Sequence, residues 1–338
     1  ITMLNGKSIL VTGGTGSFGR KFIEHTLAQY PDVKRVVVFS RDEMKQFEMA
    51  QAYSSERYPM LEFVIGDIRD FERLSEACRD IDVIIHTAAM KHVHLAEYNP
   101  MEAIKTNVLG SENVINAAIQ NHVQDVVALS TDKAAAPINL YGATKLCADK
   151  LFVAANNMRS INGLKFSVVR YGNVIGSRGS VVPLFLKQRA EGRLKITHED
   201  MSRFHITPDM GIQTVFHALE HAWGGEIYVP KCPSFKLTDL AEAISPGEGY
   251  DVIGIRPGEK LYEEMITGSD AISTVEFDDY FVILPSLPKW STDEFVAHFN
   301  GRRVGMGFSY SSETNPDWLS IEQLRADIRK YVDAGFEV

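Results

Sequence analysis

Ser8-Ile9-Leu10-Val11-Thr12-Gly13-Gly14-Thr15-Gly16-Ser17-Phe18-Gly19 opens the regular part of the chain. Five residues with strand character run directly into a loop with glycine at 13, 16 and 19, and a helical pattern follows from Phe18 to Gln29. In a strand–loop–helix unit each glycine has a job. Gly13 permits the tight turn, Gly16 lets the backbone approach a pyrophosphate, and Gly19 allows helix and strand to pack closely. The helix N-terminus then offers unpaired N–H groups and the positive end of its dipole to phosphate. Thr15, Ser17 and Phe18 lie in the same loop and join the candidate contacts. A glycine-rich turn alone is weak; at the first strand–helix junction of a βαβ unit it carries weight.

Moving outward, short Val/Ile-rich runs recur at Arg35 to Phe39, Glu62 to Ile65, Val83 to His86, Asp125 to Leu129 and Phe166 to Val169. They are nearly continuous in apolar character, as parallel strands covered on both faces are. Helical patterns separate them at Asp42 to Arg57, Asn99 to Gln120 and Tyr141 to Met158. The expected fold class is α/β: a Rossmann-type doubly wound parallel sheet with a smaller α+β substrate-binding lobe. Residues 3–176 are expected to form the dinucleotide-binding domain. After Gly176 prolines and glycines become frequent, and 177–338 are expected to supply mainly the substrate lobe. Helices near Met210 to Ala222 and Leu237 to Ala243 are free to pack back on the first domain.

The chain has 338 residues, 45% of them hydrophobic, and a formal charge of -9. That size supports one large core and a smaller one. The acidic balance argues against a nucleic-acid surface, yet leaves room for an anionic small molecule held by local basic groups. Cys78, Cys147 and Cys232 are scattered without metal-ligand spacing, which suggests reduced thiols in a cytoplasmic protein. No apolar run reaches membrane-spanning length, and the layout of a signal peptide is missing.

The end of the second strand bears on the cofactor. An NAD site expects an acid there to bond the ribose hydroxyls. This chain has Phe39-Ser40-Arg41-Asp42, so Ser40 takes the acid's place and Arg41 suits a 2′-phosphate. NADP is favoured, although a shift of one residue would bring Asp42 into the discriminating position. Asp67 and Ile68 after the third strand should face the adenine. Ala88, Ala89 and Lys91 after the fourth should line the cofactor.

Leu129-Ser130-Thr131-Asp132-Lys133 follows, with Tyr141 and Lys145 at i and i+4 on one helix face. A lysine ammonium beside a phenol favours the phenolate, making Tyr141 a base for a sugar hydroxyl. Asp132 and Lys133 add a proton donor and a proton acceptor, which removal of water needs and plain alcohol oxidation does not. Lys133 must be neutral to act as a base, and Asp132 must hold a proton when it donates, so its surroundings should raise its pKa.

Taken together, the glycine loop, Ala88-Ala89, Asn107, Ser130-Thr131, Tyr141, Lys145 and Arg170-Tyr171-Gly172-Asn173-Val174 resemble the extended short-chain dehydrogenase/reductase superfamily. Within it, four further segments resemble the inverting UDP-N-acetylglucosamine 4,6-dehydratases of the PseB type, which begin pseudaminic acid synthesis. These are Ala89-Met90-Lys91-His92-Val93, Ser130 to Ala134, Arg203-Phe204-His205-Ile206-Thr207 and Ile255-Arg256-Pro257-Gly258-Glu259-Lys260. Retaining relatives typically carry Asp-Glu where this chain has Asp132-Lys133.

The resemblance implies oxidation at C4, loss of water across C5 and C6, return of hydride to C6 and inversion at C5. Which residue reprotonates C5 stays open. Thr131, Asp132, Lys133, Tyr141 and Lys145 are the implied catalytic residues, and Asn107 the implied member of the cofactor site. Lys91, Lys133, Tyr141, Asn173, Arg203, Arg256 and Glu259 are the implied contacts to UDP-N-acetylglucosamine, with Arg178 and Lys187 as lesser candidates. No metal is expected. A homo-oligomer is, through a four-helix bundle of the 99–120 and 141–158 helices, up to a hexamer. A UDP-sugar 4-epimerase and a non-catalytic NADP-binding scaffold remain the alternatives.

Overall fold

The computed structural model describes residues 3–158, 163–177 and 179–338, so the candidate Arg178 lies outside the described residues. Six parallel strands form the centre of one sheet: β1 (Ser8–Thr12), β2 (Arg35–Ser40), β3 (Leu61–Ile65), β4 (Val83–His86), β5 (Asp125–Thr131) and β6 (Lys165–Tyr171). Their spatial order is 3-2-1-4-5-6, the doubly wound order that reverses between β1 and β4. Every residue of β1 and β4 is buried, because helices cover both faces of the sheet. Val36, Val37 and Val38 at the heart of β2 are fully buried, each side chain stabilising the fold by about 1.5–3 kcal/mol.

The sheet continues beyond β6. Ile227–Pro230 adds parallel to β6, and Tyr280–Ile283, Thr274–Glu276 and Arg302–Arg303 follow antiparallel, giving ten strands. Residues after 176 therefore build sheet as well as lobe. The helix Pro208–His221 packs back on Ser17–Gln29, with the Phe22 and Phe216 rings 5.4 Å apart. A second apolar core, including Phe185, Ile196, Phe235, Leu240, Leu324 and Ile328, underlies the smaller lobe.

Several boundaries differ from the sequence expectation for local reasons. The helix expected over residues 99–120 forms without interruption from Pro100 to Gln120, with Pro100 at its first position and one wider π-type turn over Lys105–Leu109 inside it. The helix expected from Asp42 runs only over Glu43–Ala52, with Asp42 as its cap. Leu140–Ala155 begins where the Asn139 side chain accepts from the Gly142 amide. After residues 245–249, Tyr250–Val252 pairs parallel with Leu194–Ile196. What matters for function is the carboxyl edge of the sheet. Thr12, His86, Thr131 and Tyr171 end four adjacent strands there, the position where open α/β sheets bind ligands.

Candidate active site

The turn after β1 is pressed tight. Gly13 has φ +63°, and a Cβ there would lie 2.7 Å from Thr87 Oγ1 and 2.9 Å from the Ala88 nitrogen. A Cβ on Gly19 would lie 2.7 Å from the Gly13 carbonyl oxygen. The helix that follows is capped by Gly16 without a side-chain hydrogen bond and has no acid in its first turn. The first amides of that helix, from Ser17 onward, are thus left for an anion. Thr15 is buried beside them, and the Phe18 ring stacks on Tyr171 at 5.9 Å. These residues fit a dinucleotide: a close backbone approach, a bare helix terminus and no carboxylate to repel phosphate.

At the end of β2 the Ser40 hydroxyl accepts from Gln46 Nε2 at 3.0 Å. Asp42 accepts from the Lys45 amide at 3.0 Å and serves as helix cap. Arg41 is exposed, with its guanidinium 3.8 Å from Asp67 Oδ2. Ile68 is buried against Gly110, where a Cβ would come within 2.7 Å of it. Ala88 and Ala89 border the turn after β4, and the Ala88 nitrogen donates to Thr12 Oγ1 at 3.3 Å. Asn107, in the π-type turn, uses its whole carboxamide. It accepts from the Met90 nitrogen at 2.8 Å and donates to the Met90 oxygen and Thr144 Oγ1 at 2.9 and 3.0 Å. Asn107 therefore fixes the loop that carries Ala89 and Lys91.

The acid–base residues gather where β5 ends. Thr131 Oγ1 donates to Asp132 Oδ1 at 3.0 Å and accepts from the Lys133 amide at 3.3 Å. Lys133 Nζ lies 3.2 Å from Asp132 Oδ1, 3.5 Å from Glu263 Oε1 and 3.4 Å from Asn173 Oδ1. Asp132 Oδ2 and Glu263 Oε2 are buried with no protein hydrogen-bond partner. Gly172 leaves the room that Asp132 needs, since a Cβ there would sit 2.9 Å from Oδ2.

The electrostatics correct two expectations. Burial alone would lower the Lys133 pKa, but the carboxylates of Asp132 and Glu263 more than reverse this and hold the ammonium above its ordinary range. The expected neutral lysine is not the resting state. Burial pushes the Tyr141 phenol up to about 12, and the cation opposing that rise is Lys133 rather than Lys145. Lys145 donates to the Leu129 carbonyl at 2.7 Å, and burial lowers its pKa against the attraction of Asp149.

A cleft of about 320 Å³ opens beside this cluster, lined by Lys91, Lys133, Asn173, Arg203, Arg256 and Glu259 among others. Tyr141, the remaining expected substrate contact, is buried next to it in the acid–base cluster. Arg203 is fixed by backbone carbonyls of Ser202, Leu261 and Lys260 at 2.7 to 3.1 Å. Arg256 and Glu259 face one another at 3.9 Å. Lys187 is not brought in: it is exposed on Val181–Glu191 and pairs with Glu191. A larger cavity of about 950 Å³, walled by His217, Lys231, Tyr280 and Phe281, holds none of the candidates. Among the described residues no group of His, Cys, Asp or Glu has the arrangement of a metal site, and no helix is long and apolar enough to cross a membrane.

With this geometry in place, comparison with known proteins is direct. Residues 9–285 match the family described as "Polysaccharide biosynthesis protein". The chain belongs to that family. A UDP-N-acetylglucosamine 4,6-dehydratase (inverting) of Campylobacter jejuni is 52% identical over 328 residues, covering 95% of this chain and 97% of the relative. A UDP-glucose 4-epimerase of Rickettsia canadensis is 43% identical over 290 residues, covering 83% and 84%. The X-ray structure of Pen from Bacillus thuringiensis is 38% identical, with a TM-score of 0.86 over 97% of this chain and 98% of that one.

Three features of this member of the polysaccharide biosynthesis family had no local sequence signal. Glu263 meets Lys133 from a distant part of the chain. Arg170 and Asp149 form a buried ion pair at 3.1 Å, and Asp149 also accepts from Ser130 at 2.6 Å. Two bonds tie the loop after β5 to the 256–260 loop: Lys260 Nζ to the Ala135 oxygen at 2.8 Å and Asn139 Nδ2 to the Gly258 oxygen at 3.0 Å. Arg170 itself stands in the 170–174 segment that carries the resemblance; its pairing with Asp149 had no sequence signal.

Proposed function

We propose that this chain is an inverting UDP-N-acetylglucosamine 4,6-dehydratase, a hydro-lyase working with NADP. The observation that carries the reading is Asp132 and Lys133 in contact at 3.2 Å, close enough to Tyr141 to act on its charge, beside the cleft. A 4-epimerase has no use for that pair, and a non-catalytic scaffold has no use for the set. The 52% identity over nearly the whole chain supports the same choice.

Tyr141 takes the proton of the C4 hydroxyl. When bound, NADP supplies the hydride acceptor for C4 and returns the hydride to C6. The C4 ketone makes the C5 proton acidic, Lys133 removes it, and Asp132 protonates the C6 hydroxyl as water departs. Thr131, bonded to Asp132 and to the Lys133 amide, keeps the two dehydrating groups in register. Lys145 and Asn107 fix the cofactor side, and Ser40 and Arg41 favour a 2′-phosphate over a bare ribose. Lys91, Asn173, Arg203, Arg256 and Glu259 hold the nucleotide and its diphosphate, arginine through forked donors and Glu259 through ribose hydroxyls. On this reading residues 3–176 carry the dinucleotide and 177–338 mainly the sugar nucleotide.

The product is the 6-deoxy-4-keto sugar of arabino configuration, the first intermediate of pseudaminic-acid-type synthesis. Free thiols at Cys78, Cys147 and Cys232 support a cytoplasmic location. Proton NMR with UDP-N-acetylglucosamine in deuterated water tests the reading. A C6 methyl signal with deuterium at C5 and inverted geometry is expected; a 4-epimer without a methyl signal overturns it.

A further inference from the structure

We propose that Glu263 is the proton acceptor that turns the Lys133 ammonium into the base for C5. The inference rests on the dehydratase reading above and adds to it a residue that lies outside every motif in the sequence. Lys133 Nζ donates to Asp132 Oδ1 at 3.2 Å and to Asn173 Oδ1 at 3.4 Å, and stands 3.5 Å from Glu263 Oε1 as an ion pair. An ammonium so engaged has no lone pair for the substrate, so one proton must leave before C5 is attacked. Asn173 offers an amide oxygen, which is no acceptor for a full proton. Asp132 must enter the step already protonated, as the acid for the departing C6 hydroxyl, and so has no place for the Lys133 proton. Glu263 is the carboxylate that remains.

Its surroundings suit the task. Glu263 lines the cleft and is 2% exposed. Its backbone is fixed on both sides by Ser312, which donates its amide to the Glu263 oxygen at 2.8 Å and accepts the Glu263 amide at 3.0 Å. Oε2 is buried with no protein partner, so a proton placed there displaces no protein hydrogen bond. The charged and titratable groups around the pair are Asp132, Arg203, Lys260 and Tyr141. Burial is the largest influence on Glu263 and raises its pKa against the attraction of Lys133, Arg203 and Lys260, which favours the acid form that accepting a proton produces.

The step balances. The Lys133 N–H bond breaks and the Glu263 O–H bond forms, giving amine and carboxylic acid. The amine lone pair then takes the C5 proton. The electrons of the C5–H bond become the C5–C6 double bond as the C6–O bond breaks. Asp132 supplies the proton that lets the oxygen leave as water.

Glu263→Gln and Glu263→Asp test this beside the wild type, with product followed by NMR and C4 oxidation followed by the 340 nm absorbance of reduced nicotinamide. The glutamine variant is expected to keep C4 oxidation and UDP binding, yet lose 4-keto-6-deoxy product at least a hundredfold at pH 7. It should regain rate as pH rises, because hydroxide then removes the Lys133 proton that a carboxamide cannot accept. The aspartate variant should restore part of the rate at pH 7. Three results overturn the proposal: an unchanged rate and pH profile in Glu263→Gln, equal loss of C4 oxidation and dehydration, or loss that no pH restores. If the wild type itself yields no 6-deoxy product, the dehydratase reading fails, and the two failures are distinct.

Discussion

At the scale of single residues, the chemistry depends on packing that leaves polar atoms loose. Asp132 Oδ2 is buried without a partner and faces Gly172, whose missing side chain is the space it occupies. Gly172→Ala is expected to push the carboxylate aside by a few tenths of an ångström. Dehydration should fall roughly ten- to a hundredfold, since misplacing a catalytic group by about 1 Å costs on the order of 10²-fold. UDP affinity, measured by calorimetry, should stay the same, and an unaltered kcat would show that Asp132 needs no such room. The sequence made Asp132, Lys133 and Tyr141 legible because they fall close together at the end of one strand. It did not reveal Glu263, because no local pattern marks a residue whose meaning is its distance to a lysine far away in the chain. The charge on Lys133 was hidden for the same reason. Neighbours in space set it.

At the scale of elements, the unit from Ser8 to Gln29 was readable throughout, since strand, turn and helix are all decided by nearby residues. The 99–120 helix was readable as well, except for the π-type turn at Lys105–Leu109, where Asn107 spends its carboxamide on Met90 and Thr144 rather than on anything its own helix shows. On the proposed reading the end of β2 carries the cofactor choice. Asp42 is spent on the Lys45 amide, and Arg41 is the group proposed to meet a 2′-phosphate. Arg41→Ala is expected to weaken NADP binding ten- to a hundredfold, in line with about 1.5–3 kcal/mol for a charged hydrogen bond, and to change NAD binding less than threefold. Titration of the protein with both dinucleotides checks this, and equal weakening of the two would remove Arg41 from the discrimination.

At the scale of the whole molecule, the parallel half of the sheet was legible and its extension was not. The last four strands are two to four residues long, too short for periodicity to declare them, and three run antiparallel. Met101 and Leu109 are exposed on the 99–120 segment expected to pair across a two-fold axis, and Leu95 and Tyr98 are exposed on the short helix Val93–Tyr98 just before it. Tyr98→Arg should therefore shift sedimentation toward the monomer mass at micromolar concentration, whereas an unchanged oligomer would place the interface elsewhere.

The bonds from Lys260 to Ala135 and from Asn139 to Gly258 have a consequence for timing. On the proposed reading, the loop that would grip the nucleotide and the loop that carries Asp132 and Lys133 are tied to each other by these two bonds. A dehydratase of this kind would hold a reactive ketone between its two hydride transfers, and loss of the ketone in that interval would leave the turnover unfinished. Coupled gripping and reacting segments would then keep the sugar captive, making fidelity within a turnover a property of two hydrogen bonds remote from any bond that is broken.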